Sequence, residues 1–286
     1  MKNQIIYRNI IFIIFLLCSC LSNRNTTENE SSRIASSLIV ERQSPIIAHR
    51  GYWSFEGSAE NSIKSLQAAA ELGIYGSEFD VHLTADNIPV IYHNYIIKDT
   101  DFHIQQVSYN VIKDATLPNG ERLPTLDAYL EAGKMLSIQL ILEIKPHATP
   151  ERNREAARIV VDRVKHFGLE DRVDYITFSF EMGRELIRLQ PDSNVGYLSM
   201  NLNLTPGELK EYGFSTLSYY YFIMLGNSGY FYEAKSLGLT IAAWTIDDFG
   251  SMNALVDRGT SFITTDRPQD AKEYFEQKVY QYKFYF

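Results

Sequence analysis

From Pro45 almost to the C-terminus, short apolar runs alternate with stretches in which apolar residues recur every three or four positions. Ile46-Ile47-Ala48 reads as a short buried strand. Ser62 to Leu72 carries Ile63, Leu66, Ala69 and Ala70 at helical spacing, with Asn61 or Ser62 as the N-cap. Tyr75 to Val81 reads as the next strand, and Pro89 to Tyr92 as a short hairpin partner. Leu140 to Ile144 is nearly all apolar, as expected of a strand buried on both faces. Downstream the alternation is regular. Helices are predicted over Glu151 to His166, Glu181 to Leu189, Pro206 to Tyr212, Phe231 to Leu237, Ser251 to Arg258 and Gln269 to Gln277. Strands fall between them at Val173 to Phe178, Asn194 to Leu198, Ser215 to Tyr219, Leu239 to Trp244 and Phe262-Ile263.

Alternation of this kind implies a parallel sheet with helices around it. About eight units in roughly 235 residues fit an α/β fold of the TIM (β/α)8 barrel type better than an open sheet. No Gly-x-Gly-x-x-Gly fingerprint supports the open alternative. The barrel places His49, Glu78, Asp80, Glu143, Trp244 and Asp266 at strand C-termini, the face where barrel enzymes hold their chemistry. The polar, aromatic segment from Asn94 to Pro124 is long for a loop, and forms either one wall of a cleft or a surface excursion.

The chain's start has a different character. Lys2 and Arg8 precede the apolar run from Ile10 to Leu17, and no acidic residue occurs before Glu28. The run is short for a bilayer span and ends in small residues, the pattern of an export signal over residues 1–19. Leu17-Cys18-Ser19-Cys20 resembles a bacterial lipobox, which implies cleavage before Cys20, lipid on that cysteine, and an exported lipoprotein anchored to a membrane in the periplasm or at the cell surface. An uncleaved anchor helix is the rival reading. Residues 20–44 are polar until Ile34 and read as a tether to a barrel over 45–278. The aromatic tail 279–286 reads as an added strand or as an apolar rim. Cys18 and Cys20 are the chain's two cysteines, so no disulfide supports the body. Loss of residues 1–19 removes two basic residues and no acidic one, taking the formal net charge from −8 to −10. That balance argues against nucleic acid and against electrostatic docking to anionic lipid.

The chemistry concentrates between Pro45 and Asn94. Glu78 and Asp80 are two apart on a strand and so share a face. With Glu143 from a neighbouring strand they form a three-carboxylate site. Such charges repel and are costly to bury, and a divalent cation resolves both problems. Oxygen-only ligands favour Ca²⁺ or Mg²⁺ over Zn²⁺. His49 and His93 flank this cluster and suit general acid–base work. Arg50 is placed to grip phosphate oxygens, and Lys145 shares the face of Glu143. His82, His103, His147 and His166 lack that context and read as structural.

Ala48-His49-Arg50-Gly51, Glu60-Asn61-Ser62, Glu78-Phe79-Asp80-Val81, Val90-Ile91-Tyr92-His93 and Leu142-Glu143-Ile144-Lys145 together resemble the glycerophosphodiester phosphodiesterase family. Ile176 to Phe180, Trp244 to Asp247 and Thr264 to Pro268 extend the resemblance, which covers about Pro45 to Lys278. It implies a barrel of the phospholipase-C-like phosphodiesterase type that hydrolyses glycerophosphodiesters to glycerol phosphate and an alcohol. His49 and His93 would be the acid–base pair, and Glu78, Asp80 and Glu143 the metal ligands. Arg50, Glu60, Lys145 and Trp244 would bind substrate, although Trp244 fits a barrel core as well. Asp266 would either orient a histidine or cap the last helix. One departure stands out. Asn94 follows the second histidine where the family usually has Asp, and an amide supplies no charge. Two other readings remain at this point: a phospholipase-type enzyme like the sphingomyelinase D relatives, and a barrel that binds without catalysis.

Overall fold

The computed structural model describes residues 45–283, all within one of the chain's two units, Ser44–Phe286. The export signal, Cys20 and the tether lie outside the described residues. Strands β1 (Ile46–Ala48), β2 (Gly76–Leu83), β4 (Gln139–Ile144), β5 (Val173–Thr177), β6 (Val195–Ser199), β7 (Thr216–Tyr220), β8 (Thr240–Trp244) and β9 (Phe262–Thr265) run parallel in that order. β1 pairs with both β2 and β9, so the eight strands close into the expected barrel. The short β3 (Pro89–Ile91) pairs antiparallel with β2.

Ten helices are described: α1 (Ile63–Leu72), α2 (Tyr109–Ile112), α3 (Leu126–Lys134), α4 (Pro150–Phe167), α5 (Phe180–Leu189), α6 (Pro206–Glu211), α7 (Tyr221–Leu225), α8 (Ser228–Ser236), α9 (Phe249–Arg258) and α10 (Pro268–Lys283). Local chemistry sets their ends. Ser62 caps α1 by accepting from the Ser65 amide, and Thr149 and Thr205 cap α4 and α6, each followed by a proline in the first turn. The short α2 and α7 and the nine-residue α3 go beyond the sequence reading. α10 continues through Lys283, so residues 279–283 extend a helix rather than forming an added strand. Among the described residues no helix is long and apolar enough to cross a membrane.

Every residue of β2 is buried. Its odd-numbered side chains meet the helices outside, with Phe79 stacked on Tyr129 of α3 at a centroid distance of 4.4 Å. Glu78, Asp80 and His82 therefore take the opposite face, toward the barrel axis. The segment from Asn94 to Pro124 is not a loose excursion. Ile97, Ile104, Ile112, Leu117 and Leu123 form a second apolar cluster with Ala59 and Val90, which fastens the segment over the β1–α1 loop and β3.

Candidate active site

The register of β2 and β4 sets Asp80 directly beside Glu143, with Glu78 one side-chain step below. Carboxylate oxygens of the three residues lie within 4.8 Å of one another and are buried. Lys145 sits among them, its Nζ 2.6 Å from Asp80 Oδ1 and 2.8 Å from Glu143 Oε1. Arg50 Nε is 3.9 Å from Asp80 Oδ2. Burial, and then the Asp80 charge, push the Glu78 carboxyl above the usual range. Burial acts the same way on Asp80, but Lys145, His93 and Asn61 outweigh it and hold that carboxyl below the usual range. Burial opposes the Lys145 charge as well, yet Asp80 and Glu143 keep its ammonium protonated.

The turn that carries His49 and Arg50 is built onto this cluster. Arg50 has φ of 56°, and its amide donates to Glu78 Oε2 at 2.8 Å. Gly51 follows at φ 77°, and its amide donates to the Glu78 carbonyl at 3.0 Å. A Cβ at Gly51 would collide with the Ser65 side chain, so the close approach of the turn to α1 requires glycine. Glu60 binds Arg50 Nη1 at 2.7 Å and so aims the guanidinium.

Asn61 does more than mark a helix start. Its amide nitrogen donates to Asp80 Oδ2 at 2.9 Å, and its carbonyl oxygen accepts from the Asp80 amide at 3.0 Å. Ser62 is the cap, and Asn61 grips Asp80 from both sides. The sequence reading missed that role. A spare Asn next to a good cap was the available signal.

The two histidines have different partners. His49 Nδ1 meets Asp266 Oδ1 at 2.8 Å. Trp53 Nε1 donates to the same oxygen at 3.0 Å, and Asp247 Oδ1 accepts from the Asp266 amide at 2.9 Å. Asp266 thus orients a histidine, and Trp53 and Asp247 hold Asp266. Burial lowers the His49 pKa, but the Asp266 hydrogen bond and the Glu78 charge outweigh it and leave it raised. His93 Nδ1 instead meets Asn94 Oδ1, a neutral oxygen, at 2.9 Å. Burial, with Lys145 and Arg50 behind it, leaves the His93 pKa lowered despite Asp80.

Trp244 stands apart from this group. Its Nε1 donates to the Ser218 carbonyl at 2.9 Å, and its ring packs edge-on to Phe178 with Tyr220 beside it. These three rings form an aromatic wall at the ends of β5, β7 and β8.

Guanidinium, ammonium, carboxylates and paired imidazoles at one barrel mouth are the equipment for breaking phosphate esters, and they define the class of barrel phosphodiesterases. Comparison with known proteins makes the assignment specific. The glycerophosphoryl diester phosphodiesterase family model matches residues 49–270, and the chain belongs to that family. A glycerophosphodiester phosphodiesterase crystal structure from Parabacteroides distasonis is similar at 48% identity and a TM-score of 0.80, over 83% of this chain and 99% of that one. A glycerophosphodiester phosphodiesterase of Caldanaerobacter subterraneus is 26% identical over 78% of this chain and 94% of its own length. A phosphodiesterase from Oleispira antarctica, 24% identical, shares the fold with a TM-score of 0.72 over 81% of this chain and 96% of that one. The chain is thus a phosphoric diester hydrolase, with a buried acidic triad able to hold a divalent cation.

Proposed function

We propose that the protein hydrolyses glycerophosphodiesters to glycerol phosphate and an alcohol, by internal attack of the glycerol 2-hydroxyl, with His93 as first base and His49 as first acid. The contrast between their partners carries the assignment. Asp266 favours the imidazolium at His49, whereas Asn94 gives His93 only a neutral acceptor. Environments that push two titratable groups apart assign the acid and the base. Each Nδ1 faces an oxygen acceptor and so carries hydrogen, which leaves both Nε2 atoms for proton transfer.

His93 Nε2 takes the 2-hydroxyl proton as that oxygen bonds to phosphorus. The bond from phosphorus to the leaving oxygen breaks, and His49 Nε2 gives that oxygen its proton. The products are an alcohol and a cyclic glycerol phosphate. The roles then exchange: His49 takes a proton from the attacking water, and His93 returns one to the ring oxygen that leaves. Arg50, aimed by Glu60, holds the phosphate, so the internal nucleophile is already in place. The aromatic wall at Trp244 fits the carbon skeleton of the substrate.

The residues present fit a hard cation. Their donors are all oxygen, and Glu78 Oε1 is buried with no hydrogen-bond donor facing it. Glu78, Asp80 and Glu143 would hold Ca²⁺ or Mg²⁺, which when bound supplies positive charge against the phosphate oxygens. A 2-deoxy glycerophosphodiester tests the internal attack. We expect it to resist cleavage while glycerophosphocholine is hydrolysed, and equal rates would mean that water attacks directly.

The lipoprotein reading is likewise proposed, supported by the Leu17-Cys18-Ser19-Cys20 run after a short apolar segment. Cys20→Ala is expected to abolish lipid labelling and to stop mature protein from collecting in the membrane fraction. Continued labelling of that variant would refute it.

A further inference from the structure

His82 lies one side-chain step beyond Asp80 on the inner face of β2 and is fully buried. The acid–base scheme does not use it. Its two ring nitrogens nevertheless sit in a chain of hydrogen bonds whose direction follows from the partners alone. The amide nitrogen of Gln105 lies 3.0 Å from the Pro146 carbonyl oxygen, which can only accept. That contact identifies the amino end of the Gln105 side chain. The same nitrogen lies 3.1 Å from His82 Nδ1. His82 Nδ1 therefore accepts, and the ring proton is on Nε2. Nε2 lies 3.2 Å from the backbone carbonyl oxygen of His93 and donates to it. The Tyr95 hydroxyl closes the chain by donating to the Pro146 carbonyl at 3.1 Å, and the Tyr95 ring stands edge-on to His82 at 4.9 Å.

Each donor in this chain meets an acceptor, and the polarity is fixed throughout. The chain joins three pieces of backbone: the residue that carries the His93 imidazole, the segment holding Gln105, and the turn just past Lys145. His93 follows a three-residue strand in the segment just beyond Ile91, and its side chain meets Asn94 at Nδ1. The His82 contact is a second restraint on that residue, delivered to its main chain from the barrel interior.

We propose that His82 is a positioning residue for His93, holding its backbone through the Nε2 hydrogen bond, with Gln105 fixing the tautomer that makes the bond possible. This rests on His93 being one of the acid–base pair. A loosened His93 would bind substrate as before but reach its proton less often, so the effect falls on kcat.

The test is a double-mutant cycle on the purified chain with glycerophosphocholine as substrate, with each variant's fold checked by thermal unfolding. His82→Leu is expected to lower kcat roughly 10- to 100-fold with KM changed less than about threefold. His82→Gln, which can still donate to the His93 carbonyl and accept from Gln105, is expected to recover most of the loss. In a His93→Ala background His82→Leu should cost nothing more, because the group it positions is gone. Parental kcat in folded His82→Leu would overturn the proposal, and so would the full loss recurring in the His93→Ala background. If His82→Leu does not fold, Gln105→Met decides by the same two criteria, since it removes the amide donor with little change in volume. Parental turnover in His93→Ala alone would overturn the acid–base reading and this inference with it, whereas the other adverse results overturn only the inference.

Discussion

Alanine at His49 or at His93 is expected to lower kcat by roughly 10²- to 10⁴-fold while KM changes little, because each removes a proton-transfer group and not a phosphate contact. The two losses should differ with pH. The Asp266 hydrogen bond shifts His49 toward its charged form, and burial shifts His93 toward its neutral form. Asn94→Asp places a carboxylate beside His93 and should raise its pKa, since a nearby negative charge favours the imidazolium. The alkaline shift should appear on the limb of the pH–rate profile that reports the base. An unchanged profile would show that position 94 does not act on His93. Parental turnover in either alanine variant would remove that histidine from the mechanism.

The second large effect concerns the carboxylate triad. Alanine at both Glu78 and Asp80 is expected to abolish turnover and calorimetrically measured binding of Ca²⁺ or Mg²⁺. Asp80→Ala should also destabilise the fold by about 1–3 kcal/mol, because it takes one of two partners from Lys145 and leaves the buried Asn61 amide without its acceptor. Glu78→Gln should behave in the opposite sense. The folded-state pKa of Glu78 is raised, so the stability it contributes is present below the unfolded glutamate range and is lost as pH rises through the folded value. At neutral pH in chelator, the glutamine variant is therefore expected to melt above the parent. In excess Ca²⁺ the order should reverse, since only the parent gains from binding. The same melting order under both conditions would contradict a cation site at Glu78.

Much of this was readable from residue order. The Glu78–Asp80 pair shares a face because strands alternate with period two, and Glu143 and Lys145 follow the same rule one strand away. Their convergence needed only parallel neighbours in register. Other features depend on contacts that sequence spacing does not encode. The Asp266 carboxylate orients a histidine 217 residues away, while the local pattern before Pro268 fitted a helix cap equally well. Trp53 supports Asp266 from an irregular loop that no periodicity marks. Helix α3 is a different case. Thr125 as its cap and the apolar spacing of Leu126, Tyr129 and Leu130 were available, but the helix follows the long segment without a break. That segment in turn looked like a loop because its apolar cluster is assembled from single residues widely spaced along the chain.

The closure of the barrel has a consequence for the order in which the active site comes into being. Glu78, Asp80, Glu143 and Lys145 lie on or beside β2 and β4, neighbours that can pair once the first half of the chain is made. The His49–Asp266 contact needs β1 beside β9, and β1 has three residues with which to hold both of its neighbours. That junction joins the two ends of the domain and carries the largest loop-closure cost in the sheet. A nascent chain that ends before β9 therefore already carries the three carboxylates and both histidines but lacks Asp266, the partner of His49. On the proposed mechanism, His49 gains the carboxylate that orients it only when the last strand of the barrel is seated.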